Sequence, residues 1–338
     1  MLDLLKSLCA ASGVSGDEGA VRDIIRNITE PFAESVRTDA MGNLIVEKRG
    51  KSRAAKKIMV CAHMDEVGVV VTDITDDGYV KFACAGGIDR RVLIGKRVYF
   101  GAAKTPGVVG CKAVHLTSGA EREAVPKVDD LYIDIGAGTR EDAEKLLQIG
   151  DTGAFDATAI EFGNGYLAAK AIDDRLGCAV MLELLKSELP QDVTFVFTVQ
   201  EEVGARGAQA ASFSVAPEIA LVLEATTAAD LPGVSEGKTV CKVGGGAVIP
   251  FMDGGAMYDR ALWDRLTKAA AEREIPWQTK RYISGGTDAQ AVQRSRAGVA
   301  TLAIAAPVRN LHSPLCVGKI SDFDAVLATA RLFLEITQ

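Results

Sequence analysis

The sequence predicts an α/β protein: a mainly parallel sheet with helices on both faces, plus an inserted small β-barrel-like domain. At both ends of the 338-residue chain, short apolar runs alternate with helical patterns, which is typical of a parallel sheet covered on both faces. Between these ends, strand patterns separated by Gly, Asp and Pro turns replace the alternation. We therefore predict an α/β domain of residues 1–66 and 164–338, interrupted by a β-rich insert of residues 67–163.

The first part of the chain is predicted to contain two helices and three strands. Ser15 and Glu18 have the spacing of a capping box, and the apolar residues that follow them repeat at helical spacing. Strand patterns follow at residues 35–38, 43–47 and 57–62. The third run is short and mostly apolar, as expected of a buried strand.

The remaining elements follow the same two patterns. In the insert, we predict a helix at residues 140–147 and strands at residues 67–71, 79–82, 97–100, 108–110 and 131–135. After the insert, strands are predicted at residues 193–199, 219–223, 277–282 and 299–304. Helices are predicted at residues 175–186, 205–213 and 259–273, from residue 287, and from residue 322.

Composition excludes several classes of function. Hydrophobic residues make up 48% and charged residues 25% of the chain, as in soluble globular proteins. The net charge of −7 argues against nucleic acid or an anionic membrane as a partner. The seven cysteines occur singly and suggest reduced, mostly buried thiols. With no signal-peptide pattern and no apolar run near the roughly 20 residues that span a bilayer, we expect a cytoplasmic protein.

His63 is the first candidate for chemistry, because it directly follows the apolar strand at residues 57–62. Ligands of open parallel sheets bind beyond the carboxyl ends of the strands, so His63 is placed to bind a metal ion. Asp65 can accept the proton of the other ring nitrogen and fix its tautomer. A histidine at a strand end is also commonly structural, and this motif alone leaves both interpretations open.

Acidic residues follow two further elements. Asp173 opens a helical pattern, where an aspartate either caps the helix or bridges two cations. Glu201 and Glu202 directly follow the predicted strand at residues 193–199. Metal-dependent hydrolysis needs one carboxylate on the metal and another that takes the proton of the attacking water. We assign Glu202 to the first role and Glu201 to the second.

Glu224 and His312 complete the candidate set. Glu224 follows the strand at residues 219–223, and His312 lies in a loop after the strand at residues 299–304. Taken alone, His312 is readily explained as structural. Together with the residues above, however, they occupy positions that can converge on one rim of a parallel sheet. Two imidazoles and several carboxylates are a ligand set suited to zinc, cobalt or manganese.

With these residues identified, the sequence resembles the TET-type metalloaminopeptidases of metallopeptidase family 42, which include the glutamyl and deblocking aminopeptidases. The resemblance extends nearly from end to end, and its motifs have the family's order and spacing: AHMDEVG, KAIDDRLG, VQEEVGARGA, GGTDA and HSP. It implies a zinc-aminopeptidase-like fold and an enzyme that removes N-terminal residues from peptides. It also implies two divalent metal ions per subunit, zinc or cobalt, with manganese as a further possibility.

The resemblance also implies a role for each residue. Asp65 would orient a histidine ligand, and Glu201 would be the general base. The implied metal ligands are His63, Asp173, Glu202, Glu224 and His312. Asp173 would bridge the ions, with His63 and Glu224 on one and Glu202 and His312 on the other. The insert would be a dimerisation domain, and dimers would assemble into hollow dodecamers.

The GGTDA segment has two interpretations. Gly285, Gly286 and Asp288 are candidate substrate-binding residues that would line the pocket. Alternatively, the segment is a turn in which Thr287 caps a helix.

The chain departs from the family at Glu224, where aspartate is usual. Glutamate at this place is common in related carboxypeptidases and deacylases, so a dinuclear-metal deacylase or carboxypeptidase is one alternative function. A non-catalytic assembly protein of the same fold is another. Glycoside hydrolysis is disfavoured because it leaves His63 and His312 without a role.

The segment around His115 also differs from the family, and we interpret His115 as structural. Arg309 could either bind an acidic substrate side chain or be a surface charge.

Overall fold

The computed structural model describes all 338 residues, and every helix and strand predicted above has a counterpart in it. The α-helices are α1 (Leu2–Ala10), α2 (Gly19–Thr29), α3 (Gly119–Glu123), α4 (Arg140–Glu144), α5 (Ile172–Lys186), α6 (Arg206–Val215), α7 (Arg260–Glu272), α8 (Ala289–Gln293) and α9 (Ile320–Ile336). The strands of the first half are β1 (Ser35–Thr38), β2 (Leu44–Lys48), β3 (Ile58–His63), β4 (Gly68–Ile74), β5 (Val80–Ala85), β6 (Arg97–Phe100), β7 (Thr105–Gly110), β8 (Tyr132–Asp134) and β9 (Thr152–Phe155). Those of the second half are β10 (Ile160–Phe162), β11 (Tyr166–Ala169), β12 (Val193–Thr198), β13 (Ile219–Thr227), β14 (Ala247–Val248), β15 (Trp277–Gln278), β16 (Ala300–Arg309) and β17 (Cys316–Lys319).

The larger sheet has eleven strands, and nine of them follow the order β1-β2-β12-β3-β13-β16-β17-β11-β10. The parallel arrangement is confirmed for the four central strands, β12, β3, β13 and β16. The prediction of a mainly parallel sheet is wrong for the flanks, where β1, β2, β17, β11 and β10 pair antiparallel. The reason is chain connection: β1–β2, β10–β11 and β16–β17 are joined by short loops, and a short loop permits only antiparallel pairing.

The insert forms a closed barrel of six strands in the order β4-β5-β8-β7-β6-β9. It has its own core of 15 buried hydrophobic residues, separate from the 63-residue core of the α/β part. The barrel strands lie between Gly68 and Phe155. The next strand, β10, lies within the predicted insert of residues 67–163 but pairs with β11 in the larger sheet.

The helices pack on the larger sheet in two groups. Helix α5 contacts β3 and β13 and lies beside α1, α2 and α9, whereas α6 contacts β12 and lies beside α8. Thirteen of the fifteen residues of α5 are buried. This explains why its sequence is apolar on nearly all sides, as is typical of a helix enclosed by protein.

The predicted capping box at the start of α2 is wrong. The helix begins at Gly19 without a side-chain cap, and the side chains of Ser15 and Glu18 turn away from it. Ser15 donates to Asp65, and Glu18 accepts from the backbone of Gly16 and of a distant loop. Both side chains therefore have partners outside the helix that sequence spacing does not reveal.

All seven cysteines are free and five are buried, in agreement with the prediction of unpaired, mostly buried thiols. None of the helices combines the length and apolar character that crossing a membrane requires.

Candidate functional site

The parallel centre of the larger sheet brings the predicted residues together at one rim. His63 is the last residue of β3 and pairs in register with Thr198, the last residue of β12. Glu201 and Glu202 follow β12 at once. Glu224 was predicted to follow its strand, but β13 continues to Thr227 and holds Glu224 within it. The rim position is kept because β13 extends further than its neighbour β3.

The first cluster of possible metal ligands contains His63, Asp173 and Glu224. The Nε2 atom of His63 lies 3.3 Å from Oδ1 of Asp173 and 3.7 Å from Oε2 of Glu224. All three residues are buried, at 1%, 8% and 4% exposure respectively. An imidazole nitrogen and two carboxylate oxygens thus converge on one small, enclosed volume.

The second cluster contains Asp173 again, with Glu202 and His312. The Nε2 atom of His312 lies 3.4 Å from Oδ2 of Asp173 and 3.3 Å from Oε2 of Glu202. Each oxygen of Asp173 therefore faces a different histidine. Asp173 precedes the regular part of α5, and its backbone is not helical, so its carboxylate is free to lie between the two clusters instead of capping the helix.

A loop of the barrel contributes to the second cluster. The carbonyl of Gly87 lies 3.1 Å from Nδ1 of His312 and fixes the orientation of that ring. Gly86 has a φ of +86°, and a Cβ atom there would lie 3.3 Å from Oε2 of Glu202. Glycine is therefore favoured by the backbone conformation and by the close approach of Val67, whose Cγ1 would lie 2.7 Å from that Cβ atom. The two domains share in building the site.

The donor atoms fit a pair of divalent cations. Oδ1 of Asp173 is buried without a hydrogen-bond partner, which is costly for a carboxylate unless a cation is its partner. The remaining donors are two imidazoles and two glutamates, a nitrogen and oxygen set that suits zinc, cobalt or manganese. His63, Asp173 and Glu224 can hold one ion, and Asp173, Glu202 and His312 the other.

The clustering perturbs the histidines and the shared aspartate. Burial lowers the pKa of His63, but the carboxylates of Asp173 and Asp65, which lie 3.3 and 3.5 Å from its ring nitrogens, outweigh burial and hold the pKa well above its ordinary value. Burial also lowers the pKa of His312. Asp173 and Glu202 outweigh burial and raise this pKa to about 9. For Asp173, the two histidines outweigh burial and lower the pKa. The excess negative charge of the site thus favours bound protons in the metal-free chain, and it would favour bound metal cations for the same reason.

Glu201 lies beside these clusters but belongs to neither. Burial raises the pKa of Glu201 to about 9; the charge of His63 opposes this rise, and the charges of Asp288 and Glu202 add to it. Burial, with the charge of Asp173, also raises the pKa of Glu202 to about 7. A carboxylate with a raised pKa that is not occupied as a ligand is suited to take and return a proton.

Asp65 joins the first histidine to the glutamate loop. Its backbone carbonyl lies 3.1 Å from Nδ1 of His63, and its carboxylate lies 3.5 Å from the same atom. The two carboxylate oxygens accept the backbone N–H groups of Glu201 and Glu202 at 2.9 and 3.1 Å. The main-chain carbonyl is therefore the nearer partner of the ring, and the carboxylate also holds the loop that carries the glutamates.

A buried ion cluster behind the site was not predicted. Glu66 accepts from Lys170 at 2.6 Å and from Arg175 at 3.2 Å, and all three side chains are at most 7% exposed. Arg175 also donates to the carbonyl of Met64 at 2.8 Å. These residues lie inside the AHMDEVG and KAIDDRLG segments. Their position next to candidate ligands is the one feature of the sequence that could have indicated a role at the site. They tie the chain after β3 to the start of α5.

The GGTDA segment approaches the site at one end. Gly285 and Gly286 are exposed, whereas Asp288 is fully buried. The backbone N–H of Asp288 donates to Glu224 at 3.4 Å, and its carboxylate accepts from Thr198 at 2.5 Å. The exposed glycines thus lead to a buried aspartate beside the first ligand cluster.

Three other residues considered from the sequence have clear surroundings. Thr287 accepts the N–H of Ala289 at the start of α8. His115 is exposed in a short turn of the insert. Arg309 forms a two-point ion pair with Asp230, with both distances 2.7 Å. The guanidinium group of Arg309 is therefore already engaged within the chain.

The fold and the paired imidazole–carboxylate clusters are those expected of a hydrolase. The family described as M42 glutamyl aminopeptidase matches residues 42–328. A protein of Acetivibrio thermocellus is 38% identical over 96% of this chain and 95% of its own length. The lysyl aminopeptidase of Pyrococcus furiosus is 34% identical over 98% of this chain and 96% of its own. The chain belongs to the M42 aminopeptidase family and is an enzyme that hydrolyses peptide bonds.

Solved structures agree with this assignment. The aminopeptidase APDkam598 of Desulfurococcus kamchatkensis superposes with a TM-score of 0.93 at 33% identity, covering 98% of this chain and 94% of that one. The TET1 peptidase of Pyrococcus horikoshii, which can assemble into a tetrahedron or a large octahedral shell, has a TM-score of 0.86 at 33% identity, with 98% of both chains covered.

Proposed function

We propose that this protein is an aminopeptidase that uses two divalent metal ions to remove N-terminal residues from peptides. The observation that carries the proposal is the position of Asp173, whose two oxygens face the two ligand clusters, with Glu201 beside both and part of neither. This is the arrangement that metal-assisted hydrolysis with a separate general base needs.

Each residue has a defined part in this proposal. His63 and Glu224 would hold one ion, Glu202 and His312 the other, and Asp173 both. When bound, the ions supply Lewis-acid activation of a water molecule and of the scissile carbonyl. The carboxylate of Glu201 takes a proton from the attacking water and returns it to the nitrogen of the leaving amine.

The remaining groups prepare the site for that proton transfer. Asp65 holds the backbone of Glu201 and orients His63. The free ammonium group of a substrate is attracted by the carboxylates of the site. The exposed Gly285 and Gly286 are proposed to line the pocket for the N-terminal residue, and the buried Asp288, whose backbone N–H donates to Glu224, joins this segment to the first cluster. Acidic and neutral N-terminal residues are both compatible with this arrangement.

Metal analysis combined with a substrate panel tests the proposal. We expect two zinc or cobalt ions per chain, and hydrolysis of aminoacyl-p-nitroanilides that is lost with chelator and restored by metal. One ion or none, together with no turnover of any free-amine substrate, would refute the proposal and favour a non-catalytic assembly protein.

Glu224 motivates one alternative, a dinuclear-metal deacylase or carboxypeptidase. The glutamate reaches the first cluster from within β13, 3.7 Å from His63, so the longer side chain keeps a ligand's position. Free, N-acetylated and C-amidated peptides separate the reactions. An aminopeptidase cleaves the free and the C-amidated peptides, a deacylase the N-acetylated peptide, and a carboxypeptidase only peptides with a free C-terminus.

We further propose that the barrel, within the predicted insert of residues 67–163, is a dimerisation domain and that dimers assemble into a dodecamer. Large apolar side chains of the insert are exposed, notably Val114 at 69%, Leu116 at 62% and Ile149 at 66%, and exposed apolar groups favour association. Light scattering should show an oligomer that Leu116→Asp weakens; a monomer in the unaltered protein would contradict the proposal.

The unpaired cysteines support a cytoplasmic location.

A further inference from the structure

The segment that connects α1 to α2 packs against the chain that follows β3. Val14 forms a parallel bridge with Glu66, and the N–H of Glu66 donates to the carbonyl of Gly13 at 2.9 Å. We call residues 13–18 the connector. The sequence predicted a helix cap here, but the connector instead lies within reach of the loop that carries the two active-site glutamates.

Three successive backbone N–H groups of that loop are held by two buried carboxylates. The N–H of Gln200 donates to Oε1 of Glu18 at 3.2 Å. The next two N–H groups, of Glu201 and Glu202, donate to the two oxygens of Asp65 at 2.9 and 3.1 Å. Glu18 and Asp65 are 4% and 0% exposed. Because these N–H groups lie between β12 and α6, the two carboxylates supply the acceptors that regular structure does not.

The connector fixes both carboxylates. Ser15 Oγ donates to Oδ2 of Asp65 at 2.6 Å, and the N–H of Gly16 donates to Oε1 of Glu18, also at 2.6 Å. The Oε1 atom of Glu18 that accepts from Gly16 also accepts from Gln200. A single oxygen thus joins the connector to the loop, and the hydroxyl of Ser15 orients the carboxylate that holds the rest of it.

The loop needs such support because its backbone turns sharply. Gln200 has a φ of +56°, a left-handed conformation that non-glycine residues rarely adopt and that costs on the order of 1 kcal/mol. The turn decides in which direction the side chains of Glu201 and Glu202 leave the strand. The hydrogen bond to Glu18 is donated by the N–H of Gln200, the residue at which the turn occurs.

We propose that Ser15 and Glu18 are positioning residues that set the orientation of Glu201 and Glu202 through Asp65 and the loop backbone. The inference rests on the proposed function of those two glutamates. Neither Ser15 nor Glu18 belongs to a ligand cluster, so both act on the site through hydrogen bonds to intermediate groups.

Hydrogen exchange of the full-length, metal-free protein tests the hydrogen bonds without relying on activity. We expect Ser15→Ala and Glu18→Ala to speed exchange of the N–H groups of residues 200–202 about tenfold, because an acceptor or its orientation is lost. Glu18→Gln keeps an acceptor oxygen and should keep the protection. Ser12→Ala and Asp23→Asn, at exposed positions before and after the connector, are the matched controls.

Steady-state kinetics on an aminoacyl-p-nitroanilide tests the consequence. The kcat of Ser15→Ala and Glu18→Ala should fall about 10- to 100-fold, as for a misplaced catalytic group, with KM within about twofold. Glu18→Gln keeps an acceptor oxygen and should keep most of the kcat, whereas Glu18→Met, which is similar in size but has no acceptor oxygen, should lose kcat as Glu18→Ala does. A loss of packing alone predicts little change in either variant.

The outcomes separate the two levels of the proposal. Unchanged exchange at residues 200–202 in both alanine variants, or a rise in KM with kcat unchanged, would overturn the positioning role. Faster exchange in a protein whose unaltered form hydrolyses no free-amine substrate would leave the hydrogen bonds established and overturn the proposed function. Thermal denaturation identifies a variant that has not folded, and Glu18→Met then decides the matter because it keeps the size of the side chain but removes the acceptor oxygen.

Discussion

Replacing Glu201 by glutamine should remove most turnover while leaving the metal site intact. The substitution replaces one carboxylate oxygen by an NH2 group, and the resulting amide has nearly the same shape as the carboxylate. Glu201 belongs to neither ligand cluster, so its side chain is not needed to hold an ion. Its backbone N–H remains bonded to Asp65, so the loop keeps its place. The loss is therefore confined to proton transfer.

The expected magnitude follows from the surroundings of this carboxylate. In the metal-free chain, burial, opposed by His63 and supported by Asp288, raises the pKa of Glu201 to about 9. The positive charge of bound ions lowers this pKa towards neutral pH, where a carboxylate acts well as a general base. A positioned general base typically contributes about 10²- to 10⁴-fold to the rate. At about 1.4 kcal/mol per factor of ten, Glu201→Gln should raise the barrier by roughly 3 to 5 kcal/mol.

The assay compares kcat on an aminoacyl-p-nitroanilide with metal content in the same preparations. Glu201→Gln should keep two ions per chain and lose about 10²- to 10⁴-fold in kcat, whereas Glu202→Gln should lose metal as well. Glu141→Gln, an exposed carboxylate of the insert, is the control and should match the unaltered protein. A Glu201→Gln variant with metal bound and an unchanged kcat would refute the assignment of Glu201 as the base.

Three further predictions concern metal binding and stability. Asp173→Asn should lower metal content below that of Glu202→Gln because Asp173 faces both clusters; equal contents by elemental analysis would contradict the shared role. Lys170→Met should cost about 3 kcal/mol in urea unfolding, since it removes a buried partner of Glu66, and a loss below 1 kcal/mol would contradict this estimate. In the metal-free protein, the folded-state pKa values of Glu202 and His312, about 7 and 9, exceed their ordinary values of 4.5 and 6.5. The folded chain then binds more protons than the unfolded chain, so stability should fall as the pH rises from about 6 to 9; a rise in denaturation midpoint over that range would contradict it.

Two kinds of element were not predictable from the sequence. Strands β10, β11 and β17 were not predicted; each has only three or four residues, so a period of two is weak in them, although β1, β6 and β8 of similar length were predicted. Their pairing with the sheet is decided by neighbours far along the chain. The same holds for the direction of the flanking strands, which made the sheet mixed instead of mainly parallel.

The connector shows why a correct local pattern can give a wrong structure. Ser15 and Glu18 have the spacing of a capping box, but their polar atoms found partners on Asp65 and Gln200. A hydrogen bond to a buried carboxylate or to an otherwise unpaired N–H group contributes more than a cap exposed to water. Only the folded chain brings those competing partners close.

The sequence by itself determined most of the helices and strands and which residues carry chemistry, because side-chain periodicity and the ends of apolar runs are local properties. His63, Glu202, Glu224 and His312 are therefore candidates on the sequence alone. Tertiary structure alone decided that each oxygen of Asp173 faces a different histidine, that Glu201 stays outside both clusters, and that the barrel supplies Gly87 to His312. These relations depend on the packing of segments remote in sequence, and no local pattern encodes the distance between two such side chains.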